Sequence, residues 1–508
     1  MRNFFTLILL FFVSVSWAQN KVVDLYPKLG PYKIGFGHYN KVDDSRTYER
    51  SGDWTNKVSA RPMSISLWYP AESSGAADRI SVLDYMEILK EEEEWEYLPT
   101  EQILNWFEFP NNEKNRAILP QEGYATKDAI PSKGKFPMVI YTPGFGASSI
   151  ENFAICEFLT SHGFYVMASP SVGPHSRRLE GATSKDLENQ ARDVEFLISE
   201  ALKLPYVNTD KITLMGFSFG GMSNALVGMR NARVKAIVSL DGSERYNYSR
   251  LSDAPYFDLK RFDVPYLHLA QKEIPQQVLK EDNIPEILNT EFRFFDELVY
   301  SDAYKMRMHY LSHSQFSALG VLMKPRDPRQ DKSDGEIILS YQWVVKISSA
   351  FLNAYLNDTS DGGSTFGNYM AGQNLPKAVM SGEYKKPVQQ PMSLQDFHEL
   401  AIQQEYNELR ELYNDLKSAN PNLEFPEGSL NNLGLHLVFN PETSKYGIKI
   451  FLLAVSLYPN SSNLYDSLAE GYLFIGDKPN AILNFKKSLA LYSNNMNAIK
   501  RLEELKEE

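Results

Sequence analysis

Cysteine is nearly absent. Among 508 residues only Cys156 carries a thiol, which excludes an internal disulfide and a multi-thiolate metal site within one chain. Its neighbours Phe153, Ala154, Ile155, Phe158 and Leu159 are apolar at helical spacing, so a buried core thiol is expected, not a nucleophile. Positive charge is also short. The 52 Lys and Arg face 64 Asp and Glu, and the net charge of −12 argues against general nucleic-acid binding. The 29 glycines and 27 prolines are too few for a collagen-like or low-complexity chain. Apart from the first residues, no run of eighteen apolar residues occurs, so no transmembrane segment is expected in the mature protein. What remains is ordinary. Hydrophobic residues at 43% and charged residues at 23% exclude wholesale disorder, and the length suits two to three domains.

The N-terminus carries the exception. Arg2 is followed by the apolar run Phe4 to Val15, then by Ser16-Trp17-Ala18 with small residues at the −3 and −1 positions of a cleavage site. This pattern predicts a signal peptide over residues 1–18 and export to a periplasmic or extracellular location. No cysteine follows to carry a lipid anchor.

Beyond residue 18 the pattern divides. Residues 19–358 alternate short β-rich runs with helical stretches. Met63 to Tyr69 reads as an early antiparallel strand. Met138 to Thr142, Phe164 to Ala168, Ile212 to Met215, Ala236 to Leu240, Tyr266 to Ala270 and Met306 to Leu311 read as further strands, and Leu187 to Leu204 as a helix. Such alternation predicts an α/β fold, a mostly parallel sheet covered by helices, with functional residues past the carboxyl ends of the strands. The acidic run Glu91 to Glu94 is expected on a solvated helix face. Residues 359–394, with Gly362, Gly363, Gly367, Gly372, Gly382, Pro387 and Pro391, are expected to form a linker.

Residues 395–508 are helical almost throughout. Gly447, Phe451, Ala454 and Pro459 match the second half of a helical hairpin. Thirty-four residues after Gly447 comes Ala481, followed by Phe485, Ser488 and Ser493, and Tyr465, Leu468, Ala469 and Tyr472 fit the preceding half. The period and residue pattern are those of tetratricopeptide units, with Asn497 to Glu508 as a charged capping helix. Two repeats are few for an independent array, so the tail is expected to lean on residues 395–430 or on the main domain. A plain pair of helical hairpins is the alternative.

The chemistry centres on Ile212-Thr213-Leu214-Met215-Gly216-Phe217-Ser218-Phe219-Gly220-Gly221. An apolar strand runs into G-x-S-x-G and then into a helical stretch, the context of a nucleophile elbow. Ser218 is therefore the expected nucleophile. A serine hydroxyl needs a base, and the base an acid, in the chain order Ser, Asp or Glu, His. Asp241 ends the next strand, and Glu273 follows the one after. Of the histidines beyond Ser218 in the main domain, His268 and His309 read as mid-strand, whereas His313 follows a strand in a loop. His313 is the expected base. The strand ending at Thr142 exits into Pro143-Gly144-Phe145-Gly146, so the amides of Phe145 and Phe219 are the expected oxyanion-hole donors.

These segments resemble the α/β-hydrolase superfamily, and within it the plasma-type platelet-activating-factor acetylhydrolase branch and its bacterial relatives. Arg61-Pro62 with Leu67-Trp68-Tyr69-Pro70-Ala71, Pro143-Gly144-Phe145-Gly146 with Ser161-His162-Gly163-Phe164, the elbow, Leu240-Asp241, and Ser312-His313-Ser314-Gln315-Phe316 carry the resemblance, over about residues 28 to 355. It favours Asp241 over Glu273. The family usually has histidine before the oxyanion-loop glycine, where this chain has Pro143.

The expected function is that of an exported serine hydrolase acting on carboxylic esters through an acyl-enzyme, with no metal or organic cofactor. A small-molecule or lipid-like ester is the expected substrate, and the repeats offer a surface for a protein partner. An acyltransferase, a peptidase or a dienelactone-type hydrolase on the same scaffold is an alternative, as is a non-catalytic interaction protein using its repeats. Two long insertions are expected over the strand ends. One spans 80–130, with Trp95, Tyr97, Trp106, Phe107 and Phe109. The other spans 245–300, with Tyr246, Tyr248, Phe292, Phe294 and Phe295. Their aromatics either line an acyl pocket or pack the insertions onto the core.

Overall fold

The β-rich runs assemble into one mixed sheet. Among the described residues its strands are β1 (Lys33–Glu49), β2 (Val58–Ala71), β3 (Arg79–Ser81), β4 (Glu122–Lys127), β5 (Phe136–Thr142), β6 (Tyr165–Ala168), β7 (Val207–Phe217), β8 (Val234–Leu240), β9 (Tyr266–Ala270), β10 (Ala303–Met308) and β11 (Met380–Lys385). They lie in the order β11-β10-β9-β8-β7-β5-β6-β2-β1-β4-β3. From β6 through β10 all neighbours pair parallel. The long β1–β2 hairpin joins β6 antiparallel through β2. The computed structural model describes residues 21–50, 58–72, 79–92, 97–281, 283–324, 330–357, 361–373, 376–388 and 392–507. The expected signal peptide, Trp95, Glu93 and Glu94 lie outside the described residues.

Side chains alternate across the sheet, as a two-residue period demands. Val139, Tyr141, Met215 and Phe217 point into one apolar layer with helices α1 (Phe153–Ser161) and α4 (Asp334–Asn357). Met138, Ile140, Ile212 and Leu214 point into the other, with α2 (Ser184–Ala201) and α3 (Phe219–Gly228). Parallel strands buried on both faces read as continuous apolar runs, which is why these were visible in the sequence. This is the α/β-hydrolase fold, followed by an all-helical unit. The chain divides into two compact units, Met1–Val388 and Gln389–Glu508.

Several boundaries differ from the sequence expectation. Helix α2 starts three residues before Leu187, because Thr183 caps it and Asp186 returns the bond to the Thr183 amide. Strand β10 ends at Met308, so His309 lies past its end, with its amide bonded to Val379 O. The stretch 80–130 is more than a cover over the strand ends, since β4 pairs parallel with β1 and β3 pairs antiparallel with β4. Glu157 of α1 anchors that edge. Its buried carboxylate accepts from Tyr26 Oη, Tyr85 Oη (2.9 Å), Tyr124 N (2.8 Å) and Ala125 N (3.1 Å). The acidic run is not wholly solvated either. Glu92 is 4% exposed and accepts from both the amide and the hydroxyl of Ser149. Burial pushes its carboxyl above the usual range. Cys156 is buried in the first apolar layer, and burial pushes its thiol well up.

Much of the expected linker 359–394 is regular secondary structure. It holds helix α5 (Gly362–Gly372) and then β11, which pairs antiparallel with β10 from Ala303↔Lys385 to Met308↔Met380. A ladder built from backbone bonds needs little apolar sequence. Ser381, Glu383 and Tyr384 face solvent, and the segment therefore reads as polar.

The second unit contains α6 (Leu394–Gln403), α7 (Leu409–Ala419), α8 (Glu427–Val438), α9 (Ser444–Leu457), α10 (Ser462–Phe474), α11 (Lys478–Leu491) and α12 (Met496–Glu507). Phe397, Ala401, Leu409 and Tyr413 of α6 and α7 share one core with Leu430 of α8 and Ile450, Leu453 and Ala454 of α9. Helices α6 and α7 thus cover one end of the helical stack, and Ala498 of α12 covers Ala481 and Phe485 at the other. At Gly447 an added Cβ would lie 2.5 Å from Val438 N, so this small residue is what lets α8 and α9 approach.

Candidate active site

The tight turn between β7 and α3 sets the site. Ser218 has φ +54° and ψ −119°, a strained conformation for a residue with a Cβ. Backbone bonds hold it there: Ser218 N donates to Leu240 O (3.1 Å), and Ser218 O accepts from Ser243 N (2.8 Å). The elbow leaves no room beside its glycines. A Cβ at Gly220 would meet Thr142 O at 2.1 Å, and one at Gly216 would meet Gly220 O at 2.5 Å.

Asp241, one residue past β8, also has positive φ (+43°) and is fully buried. His313 begins a short 3₁₀ turn after β10. The three sequence-predicted residues meet. His313 Nε2 lies 2.9 Å from Ser218 Oγ, and His313 Nδ1 lies 2.6 Å from Asp241 Oδ2. With the carboxylate accepting from Nδ1–H, Nε2 is left to accept the serine proton. The His313 side chain is 41% exposed, so its ring is open to solvent. Burial pushes the Asp241 carboxyl up, but the His313 hydrogen bond and charge, the Arg245 charge and the Gln271 amide more than offset it and hold it below the usual range.

Two further residues brace this pair, and the sequence did not single them out for it. Gln271, just past β9, donates its amide to Asp241 Oδ1 (2.9 Å) and accepts from His313 N through Oε1 (3.1 Å). Tyr246 Oη donates to Asp241 Oδ1 (3.1 Å) and accepts from Gln271 Nε2 (2.8 Å). The signal for Gln271 was its place at the end of a parallel strand; nothing in the composition marks it. Glu273, the rival acid, is exposed. His268 is mid-strand and fully buried, bonded through Nδ1 to Ser239 Oγ and Tyr266 Oη.

The loop after β5 is pinned from several sides. Glu151 Oε1 accepts from Gly144 N (2.8 Å) and Tyr141 Oη (2.9 Å). Pro143 O accepts from Gln190 Nε2 (3.0 Å), and Ala147 O from Ser171 N (2.9 Å). The rings of Phe145 and Phe219 meet edge-on at 5.5 Å, which brings the two expected oxyanion residues side by side. Phe219 is the first residue of α3, so its amide is one of the donors a helix leaves without an internal partner. Asn152 ties this region to the histidine loop, accepting from Ala318 N (2.9 Å) and donating to Phe316 O (2.9 Å).

Of the insertion aromatics, Phe109, Phe292, Phe294 and Phe295 are buried in the two apolar layers, which places them as packing. Arg61 is fully buried and grips Asp193 with two bonds, Nε to Oδ1 (2.9 Å) and Nη2 to Oδ2 (2.8 Å). The Arg-Pro segment is therefore a structural pin, and Trp68 Nε1 likewise donates to Tyr85 Oη (2.9 Å).

No protein-family profile matches the chain, and no curated protein matches it. Among solved structures the chain is similar to a ferulic acid esterase from Streptomyces cinnamoneus, with 18% sequence identity and a TM-score of 0.49 over 73% of this chain and 100% of that one. No helix among the described residues is long and apolar enough to cross a membrane.

Proposed function

We propose that this chain is a serine hydrolase of carboxylic esters. The observation that carries the reading is the hydrogen-bonded line Ser218 Oγ, His313 Nε2, His313 Nδ1, Asp241 Oδ2 at a strained strand-to-helix turn. In this mechanism His313 takes the Ser218 proton as Oγ attacks the ester carbonyl. The amides of Phe145 and Phe219 stabilise the tetrahedral oxyanion, and Asp241 stabilises the imidazolium. The alcohol leaves with the proton from His313. Water, activated by the same base, then releases the acid from the acyl-enzyme.

The N-terminal pattern supports export after cleavage at Ala18, to a periplasmic or extracellular site. The resemblance to plasma-type platelet-activating-factor acetylhydrolases supports a lipid-like ester as substrate. The repeat spacing supports tetratricopeptide-like units that take a protein segment as partner.

A fluorophosphonate probe tests the nucleophile. It should label Ser218 in the wild type and fail to label Ser218→Ala, and a panel of short- and long-chain esters and peptides should show turnover of esters. Labelling at another serine, or peptide cleavage without ester cleavage, would overturn this reading.

A further inference from the structure

A second concave site stands beside the triad. It is a cavity of about 440 Å³ at the ends of β9 and β10, with Arg245, Lys305, Arg307, Glu273 and Phe292 on its wall. Arg245 is 4% exposed and Arg307 is half-buried. Arg245 Nη2 donates to Leu288 O (2.8 Å) and to Asn289 O (3.4 Å), and Arg307 Nη2 donates to the same Asn289 O. Two guanidinium groups therefore converge on one carbonyl oxygen, whose dipole cannot neutralise both.

Their counter-charges are poor. Arg245 Nη1 is 4.0 Å from Asp241 Oδ1, a carboxylate already engaged by His313, Tyr246 and Gln271. Arg307 pairs with no carboxylate among the described residues. Burial, and then the Arg245 charge, lowers the Arg307 guanidinium below its ordinary value, with Glu273 pulling the other way. Lys305 Nζ sits 3.2 Å from Glu383 Oε2. The carboxylates of the wall, Glu273, Glu291 and Glu383, all belong to exposed residues, where water screens them. The cations are less exposed than the carboxylates, which favours an anion over a cation in the cavity. Planar guanidinium forks aimed at a common point are the arrangement that recognises oxyanions.

We propose that this cavity binds a small oxyanion, a carboxylate or phosphate group, through Arg307 and Arg245 with Lys305 at its side. The site does not depend on Ser218 chemistry, and it stands or falls separately from the hydrolase reading.

Calorimetric titration of the full-length Ser218→Ala protein tests it, with inorganic phosphate in one arm and succinate in the other. Saturable one-to-one binding in at least one arm is expected, and the stronger arm identifies the ligand class. Arg307→Gln should weaken that binding at least tenfold. Glu273→Gln, which removes the carboxylate competing for Arg307, should tighten it about two- to fivefold. Absence of saturable binding in both arms, or unchanged affinity in a folded Arg307→Gln protein, overturns the proposal. If Arg307→Gln does not fold, Glu273→Gln decides alone, with tightening in favour and unchanged affinity against.

Discussion

Replacing Asp241 by asparagine changes one atom, and the surrounding donors dictate the result. Asp241 Oδ1 accepts from the Gln271 amide at 2.9 Å, and a backbone N–H cannot turn into an acceptor. The asparagine oxygen must therefore face Gln271, which sends its NH₂ toward His313 Nδ1. That nitrogen then has to accept, and the imidazole proton moves to Nε2, facing Ser218 Oγ at 2.9 Å with no lone pair to offer. Restoring the useful tautomer means flipping the amide against the Gln271 N–H, and leaving a buried donor unsatisfied costs about 2–3 kcal/mol. The imidazolium of the transition state also loses its counter-charge. For charges roughly 4 Å apart at the effective dielectric of a protein site this is about 3–4 kcal/mol. Together these effects amount to about 5–7 kcal/mol, or between about 10⁴ and 10⁵ in rate at 1.36 kcal/mol per decade. The assay is kcat/KM on p-nitrophenyl acetate, with thermal unfolding to establish that the variant is folded. A folded Asp241→Asn protein within a hundredfold of wild type would refute the reasoning. Stability offers a second readout. The folded carboxyl is held below its usual value, so its contribution is present above about pH 4, the usual carboxylate range, and is lost as pH falls through the folded value. The stability gap between wild type and variant should narrow in that acid window.

Other substitutions test neighbouring contacts. Tyr246→Phe removes one donor to Asp241 and one acceptor for Gln271 Nε2, and should lower kcat about three- to tenfold with KM unchanged, measured on the same ester. Gly220→Ala drives a Cβ to 2.1 Å from the Thr142 carbonyl, backbone against backbone, so a loss of about 3 kcal/mol or more should appear as a lowered midpoint in urea. Glu157→Gln sets an NH₂ against two of the four donors on that carboxylate, and should cost about 2–3 kcal/mol in the same titration, without a change in kcat. A chain ending at Val388 should fold and keep its turnover of a small soluble ester, judged by circular dichroism and the p-nitrophenyl assay. An inactive but folded truncation would show that the helical unit contributes to the site.

The parts of this molecule that were legible in the sequence are those where one residue type answers one physical demand. A central parallel strand buried on both sides must be an apolar run, and Ile212 to Met215 is one. A strained turn demands small neighbours, and Gly216 and Gly220 supply them. Residues whose roles arise from strand adjacency were harder. Gln271 braces His313 only because β9 lies beside both β8 and β10, a fact of sheet order that no local pattern encodes. Glu92 looked solvated because its partner, Ser149, is far along the chain. β11 was missed because its pairing runs through the backbone, while its exposed serine, glycine and glutamate carry the composition of a spacer. In the tail, residues 395–430 were expected to support the helices that follow, and α6 and α7 share a core with α8 and α9.

That polar last strand has a consequence for how the molecule keeps to itself. β10 buries one face, with Tyr304, Met306 and Met308 all inside the core. Left at the margin, it would offer a row of free amides and carbonyls beside that apolar face, a template for pairing with another molecule. β11 occupies that row and presents charged and flexible residues in its place. At the opposite margin the terminal strand, β3, is only three residues long. Removing everything after Asn357 would leave Ser218, His313 and Asp241 in the chain and still produce a protein that sticks to its copies. Its failure would be one of colloidal stability, with the catalytic groups all present.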